Sequence, residues 1–260
     1  CIYDYGRRCG KLAPGARFVT FNCANYSDNP QLLMSQLFGH CRGAFTGADH
    51  DRPGLVEHAD GGILFLDEIH RLHPEGQEKL FHLIDKGTFR RMGETADDRH
   101  VRILIVGATT ESPQACMLST FLRRISVHLV LPPLRERSVQ ERLTLVLYFI
   151  WREAKVLKRR IQLDRDILSA LVHYHCPGNI GQLQTDIRLS LANVYFRYLM
   201  GQRDLLQIQL SDLSGGIQQG LFISPASRSL LVSERLSADH PDLVIDGAWD
   251  FSQVLETYLV

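Results

Sequence analysis

Apolar and polar positions in the first half of the chain predict strands that alternate with helices. Apolar runs short enough to be buried strands occupy residues 18–24, 63–66 and 101–108. Between them, segments 30–38 and 75–86 carry apolar residues at helical spacing, and the first begins with a proline, which suits a first helical turn. This alternation predicts a parallel sheet covered by helices on both faces.

The pattern in the second half of the chain predicts helices. Ser138 and Glu141 form a capping box that opens a long helix. Segments 164–174 and 179–200 predict two further helices, separated by a Cys-Pro-Gly breaker, and beyond them the pattern weakens. We therefore predict three segments: an α/β core at 1–133, a helical subdomain at 134–205, and a linker or the edge of a following regulatory domain at 206–260.

Composition changes this picture little. The 260 residues include 29 basic and 29 acidic side chains, so the net charge is zero and no basic excess indicates nucleic-acid binding. The six cysteines are irregularly spaced, without a Cys-x-x-Cys pair, which fits a reducing cytoplasm. No apolar run reaches the roughly 18 residues that a membrane-spanning helix needs. We expect a soluble cytoplasmic protein with no membrane partner.

Two carboxylates follow the apolar run 63–66 directly. Asp67 and Glu68 would stand at the carboxyl edge of a parallel sheet, where ligands bind. In a site that cleaves phosphates, the first carboxylate orients Mg²⁺ and its water shell, and the second polarises the attacking water. The alternative is a solvated strand end, which the four preceding hydrophobic residues make less favourable. We predict that Asp67 has the metal role and Glu68 the water role.

The tetrapeptide Asp67-Glu68-Ile69-His70 also matches the box of DExH helicases. Such helicases need a Ser-Ala-Thr segment and an arginine-rich final motif downstream, whereas this chain has Gly-Ala-Thr-Thr at 107–110 and no such arginine motif. The helicase is therefore a minor alternative. His70 and His73 are three residues apart, but no third ligand is spaced to complete a metal site. Surface or capping histidines are the favoured interpretation.

The run Gly43-Ala44-Phe45-Thr46-Gly47-Ala48 predicts a loop that contacts another molecule. Its glycines permit unusual backbone angles, and its alanines leave Phe45 and Thr46 as the reaching side chains. The alternative is a tight turn whose phenylalanine folds back into the core. Together with its flanks and the acidic strand, the run resembles the AAA+ domain of bacterial sigma-54-dependent transcription activators. The resemblance implies that residues 43–48 contact the sigma factor.

The resemblance implies further roles. Phe89 and Arg91 would belong to a second moving loop, bracketed by Gly87 and Gly93. In this family an asparagine hydrogen-bonds the catalytic glutamate, a sensor residue detects the γ-phosphate, and arginine fingers cross a subunit boundary. The residues at these positions are Asn22, Thr110, and Arg123 with Arg124.

The partners and cofactors implied by the resemblance are those of an ATP hydrolase. They are ATP, Mg²⁺ bound through Asp67, nucleotide and water, the sigma-54 RNA polymerase holoenzyme, and a homo-oligomeric ring, most simply a hexamer. DNA would be contacted through domains outside this chain. The implied fold is an AAA+ parallel sheet followed by a helical lid.

The sequence also departs from the family pattern. Thr110 stands where most relatives carry asparagine, and Gly181 stands where the lid arginine is expected. The runs Gly178–Leu183 and Asp67–Leu72 resemble the levanase-regulator branch, whose members are controlled by sugar phosphotransferase domains.

The phosphate-loop sequence Gly-x-x-x-x-Gly-Lys-Ser/Thr does not occur in these 260 residues. The nearest match, 6–12, has a spacer one residue too short. We therefore expect a fragment that begins downstream of the first strand and the phosphate loop, binds ATP poorly and exposes apolar surface. The alternative is a degenerate, non-hydrolysing module that binds sigma-54.

Overall fold

The chain divides into two compact units, Cys1–Leu129 and Val130–Val260. The computed structural model describes residues 2–95, 98–201, 205–221 and 242–259. Among the helices of these residues, none combines the length and the apolar character that crossing a membrane requires.

A three-stranded parallel sheet forms the centre of the first unit, in the order β1-β4-β7. The strands of this unit are β1 (Phe18–Asn22), β2 (Gly39–His40), β3 (Arg52–Pro53), β4 (Ile63–Asp67), β5 (Thr88–Phe89), β6 (Arg99–His100) and β7 (Leu104–Gly107). The central strand β4 is the most buried strand of this sheet, and Ile63, Leu64 and Leu66 are completely buried. The predicted parallel sheet is thus confirmed.

The outer strands are shorter than predicted. Strand β1 ends at Asn22 because its side chain caps a 3-10 helix, accepting a hydrogen bond from the amide of Ala24 at 2.9 Å. Some apolar side chains are exposed in this unit: Leu104 is 49% exposed and Leu129 is 80% exposed. That a strand is missing stays a prediction.

Local capping chemistry sets the helix ends of the first unit. Its helices are α1 (Ile2–Arg8), α2 (Pro30–Phe38), α3 (Leu55–His58), α4 (Pro74–Lys86), α5 (Pro113–Cys116) and α6 (Ser119–Leu122). Helix α2 begins at its proline, after Asn29 accepts a hydrogen bond from the amide of Leu32 at 3.0 Å. It ends at Gly39, where φ is 79° and a Cβ would lie 2.5 Å from the carbonyl oxygen of Arg52. Only glycine fits this position.

The second unit is helical with a small mixed sheet. Its helices are α7 (Val139–Leu157), α8 (Arg165–His173), α9 (Asn179–Gly201), α10 (Gly215–Leu221) and α11 (Phe251–Tyr258). Its strands are β8 (Arg160–Asp164), β9 (Leu206–Gln207) and β10 (Asp242–Asp246). Strand β8 lies in the middle, antiparallel to β10 and parallel to β9. The three predicted helices and the capping box at Ser138 and Glu141 are confirmed.

The sheet of the second unit was not predicted. Ile161 and Leu163 alternate with polar residues, which is a strand signal that is too short to stand out beside the long helices. The described part of segment 206–260 packs into the same core as α7 and α8, through Leu206, Leu243 and Val254. The boundaries at 133 and 205 stay predictions.

Candidate functional site

The carboxyl edge of the sheet brings Asp67 and Asn22 together. The two residues are register partners at the ends of β4 and β1. The side-chain amide of Asn22 donates to Asp67 Oδ2 at 3.1 Å, and the backbone amide of Glu68 donates to Asp67 Oδ1 at 3.1 Å. Both carboxylate oxygens are therefore held. The resemblance implied a bond from Asn22 to Glu68, whereas the structure shows the amide on Asp67.

Glu68 has an unusual backbone and two side-chain partners. Its φ of 50° and ψ of 46° lie in the left-handed region, which costs a residue other than glycine about 1–3 kcal/mol. Thr110 Oγ1 donates to Glu68 Oε2 at 3.0 Å, and His70 Nδ1 lies 3.2 Å from the same oxygen. The strained turn thus aims the glutamate at the segment that follows β7. Backbone strain of this kind is concentrated at functional sites.

The two histidines behave differently. His73 is exposed at the N-cap position of α4, where its side chain makes no capping hydrogen bond. The side chain of His70 is only 9% exposed and lies between Glu68 and Thr109. The interpretation of His70 as a surface or capping histidine was therefore wrong. The signal in the sequence was the position of His70 two residues after Glu68. The search for metal-ligand spacing did not take that position into account.

The donor set at this edge fits a magnesium ion held mainly by nucleotide and water. Mg²⁺ keeps several waters and usually takes one or two protein carboxylates, and Asp67 supplies one. Within the part of the chain that the structure describes, no cluster of three or more His, Cys, Asp or Glu residues could hold a metal. Burial raises the pKa of Cys23 to about 12, so its thiol beside this edge stays neutral.

The glycine-rich run 43–48 forms a tight loop. Gly43 and Gly47 have φ values of 78° and 94°, and the amide of Gly43 donates to the carbonyl of Ala48 at 2.8 Å. Thr46 is exposed, as predicted. The Phe45 ring is partly buried and meets the ring of His40 edge-on, with ring centres 5.0 Å apart. Phe45 therefore folds back, as in the alternative considered from the sequence.

The residue beneath Phe45 is itself anchored. His40 is 7% exposed, and its Nδ1 lies 2.7 Å from the hydroxyl of Ser35 on α2. A buried hydrogen bond fixes the plane of the imidazole ring, so the ring offers Phe45 a rigid contact surface.

The second predicted loop pairs with the first. The amide of Met92 donates to the carbonyl of Gly39 at 3.0 Å, and the amide of Cys41 donates to the carbonyl of Met92 at 2.9 Å. A Cβ on Gly93 would lie 2.8 Å from Cβ of Ala44, so the two backbones approach closely. The two loops are therefore joined by backbone hydrogen bonds and by a close contact between Gly93 and Ala44.

An ion pair reinforces this pairing. Arg91 donates from Nε and Nη2 to the two carboxylate oxygens of Glu57, at 2.8 and 2.7 Å. The side chains of Arg91 and Glu57 are 11% and 21% exposed. Burial acts to raise the pKa of Glu57, but the hydrogen bonds from Arg91 and Gly54 outweigh it and hold the pKa below its ordinary value. Phe89 differs from Arg91, because it is 4% exposed and packs in the core near Phe38.

The two candidate finger arginines lie at the end of α6. Both are exposed, and Arg124 forms an ion pair with Asp85 at 3.3 Å while lying over the ring of Phe81. An arginine finger acts on the nucleotide of a neighbouring subunit, so an exposed position suits that role. The role stays a prediction.

Comparison with known proteins identifies the first unit. Residues 8–130 match the protein family described as Sigma-54 interaction domain. The first unit of this chain therefore belongs to the sigma-54 interaction domain family. The resemblance inferred from the sequence is thereby confirmed, and it favours a transcription regulator over the helicase alternative.

Two curated relatives extend the likeness beyond the sigma-54 interaction domain. The transcriptional regulatory protein LevR of Bacillus subtilis is 44% identical over 235 residues, covering 90% of this chain and 25% of LevR. The transcriptional regulatory protein DagR of Salmonella typhimurium is 44% identical over 231 residues, covering 88% of this chain and 24% of DagR. The chain thus spans about a quarter of the length of these relatives. The likeness to LevR agrees with the branch inferred from the sequence.

A solved structure supports the fold. The crystal structure of NtrX from Brucella abortus in complex with ADP matches with a TM-score of 0.62 and 22% identity, covering 84% of this chain and 47% of that chain. At this identity the likeness shows the fold alone. The sigma-54 interaction domain is accordingly a mixed α/β structure built on a parallel three-stranded sheet, like the corresponding part of NtrX.

The structure of this sigma-54 interaction domain adds residues that sequence reasoning missed. They are His70 beside Glu68, His40 beneath Phe45, and Glu57 opposite Arg91. Glu57 lies on the short helix α3, and no motif or residue spacing in the sequence links it to Arg91. The contact of Glu57 with Arg91 joins residues 34 positions apart, and the other two contacts depend on the local turn and loop conformation.

Proposed function

We propose that the natural protein containing this chain is a sigma-54-dependent transcription activator that couples ATP hydrolysis to remodelling of the closed RNA polymerase complex. The observation that carries the proposal is the pair Asp67 and Glu68 at the carboxyl end of β4, with Glu68 held by Thr110. The match to the sigma-54 interaction domain family supports the sigma-54 RNA polymerase holoenzyme as the partner. The likeness to NtrX, whose crystal structures contain ADP or ATP, supports the cofactor.

Each residue at this edge has a proposed task. Asp67 would hold Mg²⁺ through its water shell, and Asn22 keeps the Asp67 carboxylate in place. Glu68 accepts a proton from the attacking water, and Thr110 connects Glu68 to the end of β7. MgATP supplies the bond that is cleaved and the energy for movement. Arg123 and Arg124 would reach a neighbouring subunit, which requires a ring such as a hexamer.

The loops convert this chemistry into contact with the polymerase. Phe45 and Thr46 are the proposed contact side chains for sigma-54, and the pairing of Met92 with Gly39 and Cys41 transmits movement between the loops. Other domains of the natural protein would bind DNA and receive the signal, and the protein would act in the cytoplasm.

The test of hydrolysis is Glu68→Gln in the natural protein. Glutamine cannot accept the proton, so we expect ATP turnover to fall to a small residual rate while nucleotide binding, measured by equilibrium titration, is retained. The matched control is Glu75→Gln, an exposed glutamate on α4 that should leave turnover unchanged. Unchanged turnover in Glu68→Gln would refute the assignment. If the wild-type protein binds sigma-54 without any turnover, the non-hydrolysing module is the correct interpretation.

The loop role is tested separately by Thr46→Ala. This change removes an exposed hydroxyl from the loop and touches nothing at the sheet edge, so ATP turnover should persist while transcription activation is lost. Thr185→Ala, at an exposed threonine on α9, is the control. Full activation by the Thr46 variant would argue against the proposed contact.

A further inference from the structure

We propose that His70 is a positioning residue that fixes the side chain of Glu68, a task that the resemblance assigned to Asn22. This inference rests on the proposed hydrolytic function, because it concerns the same glutamate. It begins from the observation that the amide of Asn22 is engaged with Asp67 and is not directed to Glu68.

The imidazole ring of His70 is held in a defined orientation. It belongs to the 3-10 helix Ile69–Arg71, directly after Glu68. Its Nδ1 lies 2.9 Å from the hydroxyl oxygen of Thr109 and 3.2 Å from Glu68 Oε2. With the side chain 9% exposed, water competes little for these contacts.

The partners define which nitrogen carries the proton. An ionised carboxylate only accepts, so Nδ1 must carry the hydrogen for the contact with Glu68. The hydroxyl of Thr109 lies 3.4 Å from the carbonyl oxygen of Glu111, to which it donates, and its oxygen can then accept from Nδ1. In this tautomer the Nδ1–H group donates to Thr109 at 2.9 Å and lies 3.2 Å from the Glu68 carboxylate, to which it is attracted electrostatically.

This arrangement matters because Glu68 is held on one side only. Thr110 and His70 both meet Oε2, and among the described residues Oε1 accepts no hydrogen bond. The hydrogen bond from Thr110 and the nearby Nδ1 of His70 hold Oε2 in place and leave Oε1 directed away from them, available to a water molecule. Without His70, the single bond from Thr110 would not be enough to hold the carboxylate, and Glu68 would turn away from Thr110.

The test compares two substitutions in the natural protein. In His70→Asn the side-chain amide stands near the position of Nδ1 and keeps a donor, whereas His70→Leu keeps the bulk and removes the donor. We expect His70→Leu to lower kcat by about 10- to 100-fold with the KM for ATP nearly unchanged, and His70→Asn to restore most of the rate. His73→Leu, at the exposed neighbouring histidine, is the control and should have no effect.

A role exerted through Glu68 also predicts non-additivity. In a Glu68→Gln background, His70→Leu should lower the residual rate no further. Equal losses in the leucine and asparagine variants, or a rise in KM with kcat preserved, would show that His70 only fills space or supports nucleotide binding, and either result overturns the proposal.

A readout independent of turnover separates this proposal from the proposed function. In crystal structures without nucleotide, the distance from Thr110 Oγ1 to Glu68 Oε2 should stay within hydrogen-bond range in wild type and His70→Asn, and should be lost in His70→Leu. If wild type hydrolyses no ATP but these structures behave as expected, the proposed function fails and the positioning contact stands. If Glu68 keeps its place in His70→Leu, the inference is wrong whatever the turnover.

Discussion

The ion pair between Arg91 and Glu57 should determine how readily the two loops open. In Arg91→Met the side chain keeps an unbranched apolar stem and loses the guanidinium, so both hydrogen bonds to the carboxylate disappear. Glu57 would keep the backbone amide of Gly54 at 3.3 Å and the guanidinium of Arg99 at 3.6 Å. The loop pairing through Met92 would then lose its side-chain support.

The size of the effect follows from burial. A hydrogen bond to a charged group contributes about 1.5–3 kcal/mol, and breaking a fully buried ion pair costs about 3–5 kcal/mol. The side chains of Arg91 and Glu57 are 11% and 21% exposed, and Arg99 compensates in part for the lost charge. The free-energy cost of Arg91→Met therefore lies near the lower end of the range for a single charged hydrogen bond. We expect about 2 kcal/mol, which corresponds to about 30-fold in the equilibrium for local opening.

Hydrogen exchange read by mass spectrometry measures this opening at the amides of Cys41 and Met92, which pair the loops. Both should exchange about 30-fold faster in Arg91→Met than in wild type. The adjacent Arg90 pairs with Asp98, and their side chains are 53% and 37% exposed, so Arg90→Met should leave exchange unchanged. Equal exchange in the two variants would refute the reasoning.

The same pair predicts a pH dependence. The pKa of Glu57 in the folded protein is lowered from its ordinary value of 4.5. The stabilisation that the ionised Glu57 carboxylate gives the loop pairing is therefore complete above pH 4.5. It is lost as the pH falls through the folded-state pKa. After correction for intrinsic exchange rates, the difference between wild type and Arg91→Met should persist at neutral pH and shrink below pH 4.5. A difference that grows with acidification would contradict the assignment.

Two further changes test other parts of the structure. Gly47→Ala should strain the loop by about 1–2 kcal/mol, because φ is 94° there, and reduce transcription activation without affecting ATP turnover. Gly15→Ala, where a Cβ meets open space and φ is not positive, is the control, and equal activation by both would exclude backbone strain. Tyr174→Phe should destabilise the second unit by about 1–3 kcal/mol in urea unfolding, since its buried hydroxyl donates to Asp186 at 2.9 Å. Tyr195→Phe should change little, and an equal loss there would argue against the hydrogen bond as the cause.

Local sequence chemistry determined most of the secondary structure. The proline of α2 and the capping box at Ser138 act within one helical turn, so their effects are readable from neighbouring residues. Asp67 and Glu68 could be placed because they directly follow an apolar run. In a parallel sheet, the residues that follow a strand lie at the carboxyl edge. The family followed from the same short motifs, whose residues lie next to one another in the chain.

The tertiary structure decided which of these groups meet. The contacts of Phe45 with His40, Arg91 with Glu57, and His70 with Thr109 join side chains whose separation depends on packing. Asn22 illustrates the limit, because the register of two parallel strands placed its amide on Asp67 and left Glu68 to other partners. Hydrophobic periodicity specifies which face of an element is buried, but a hydrogen bond needs atoms within about 3 Å, and only the packed chain sets that distance.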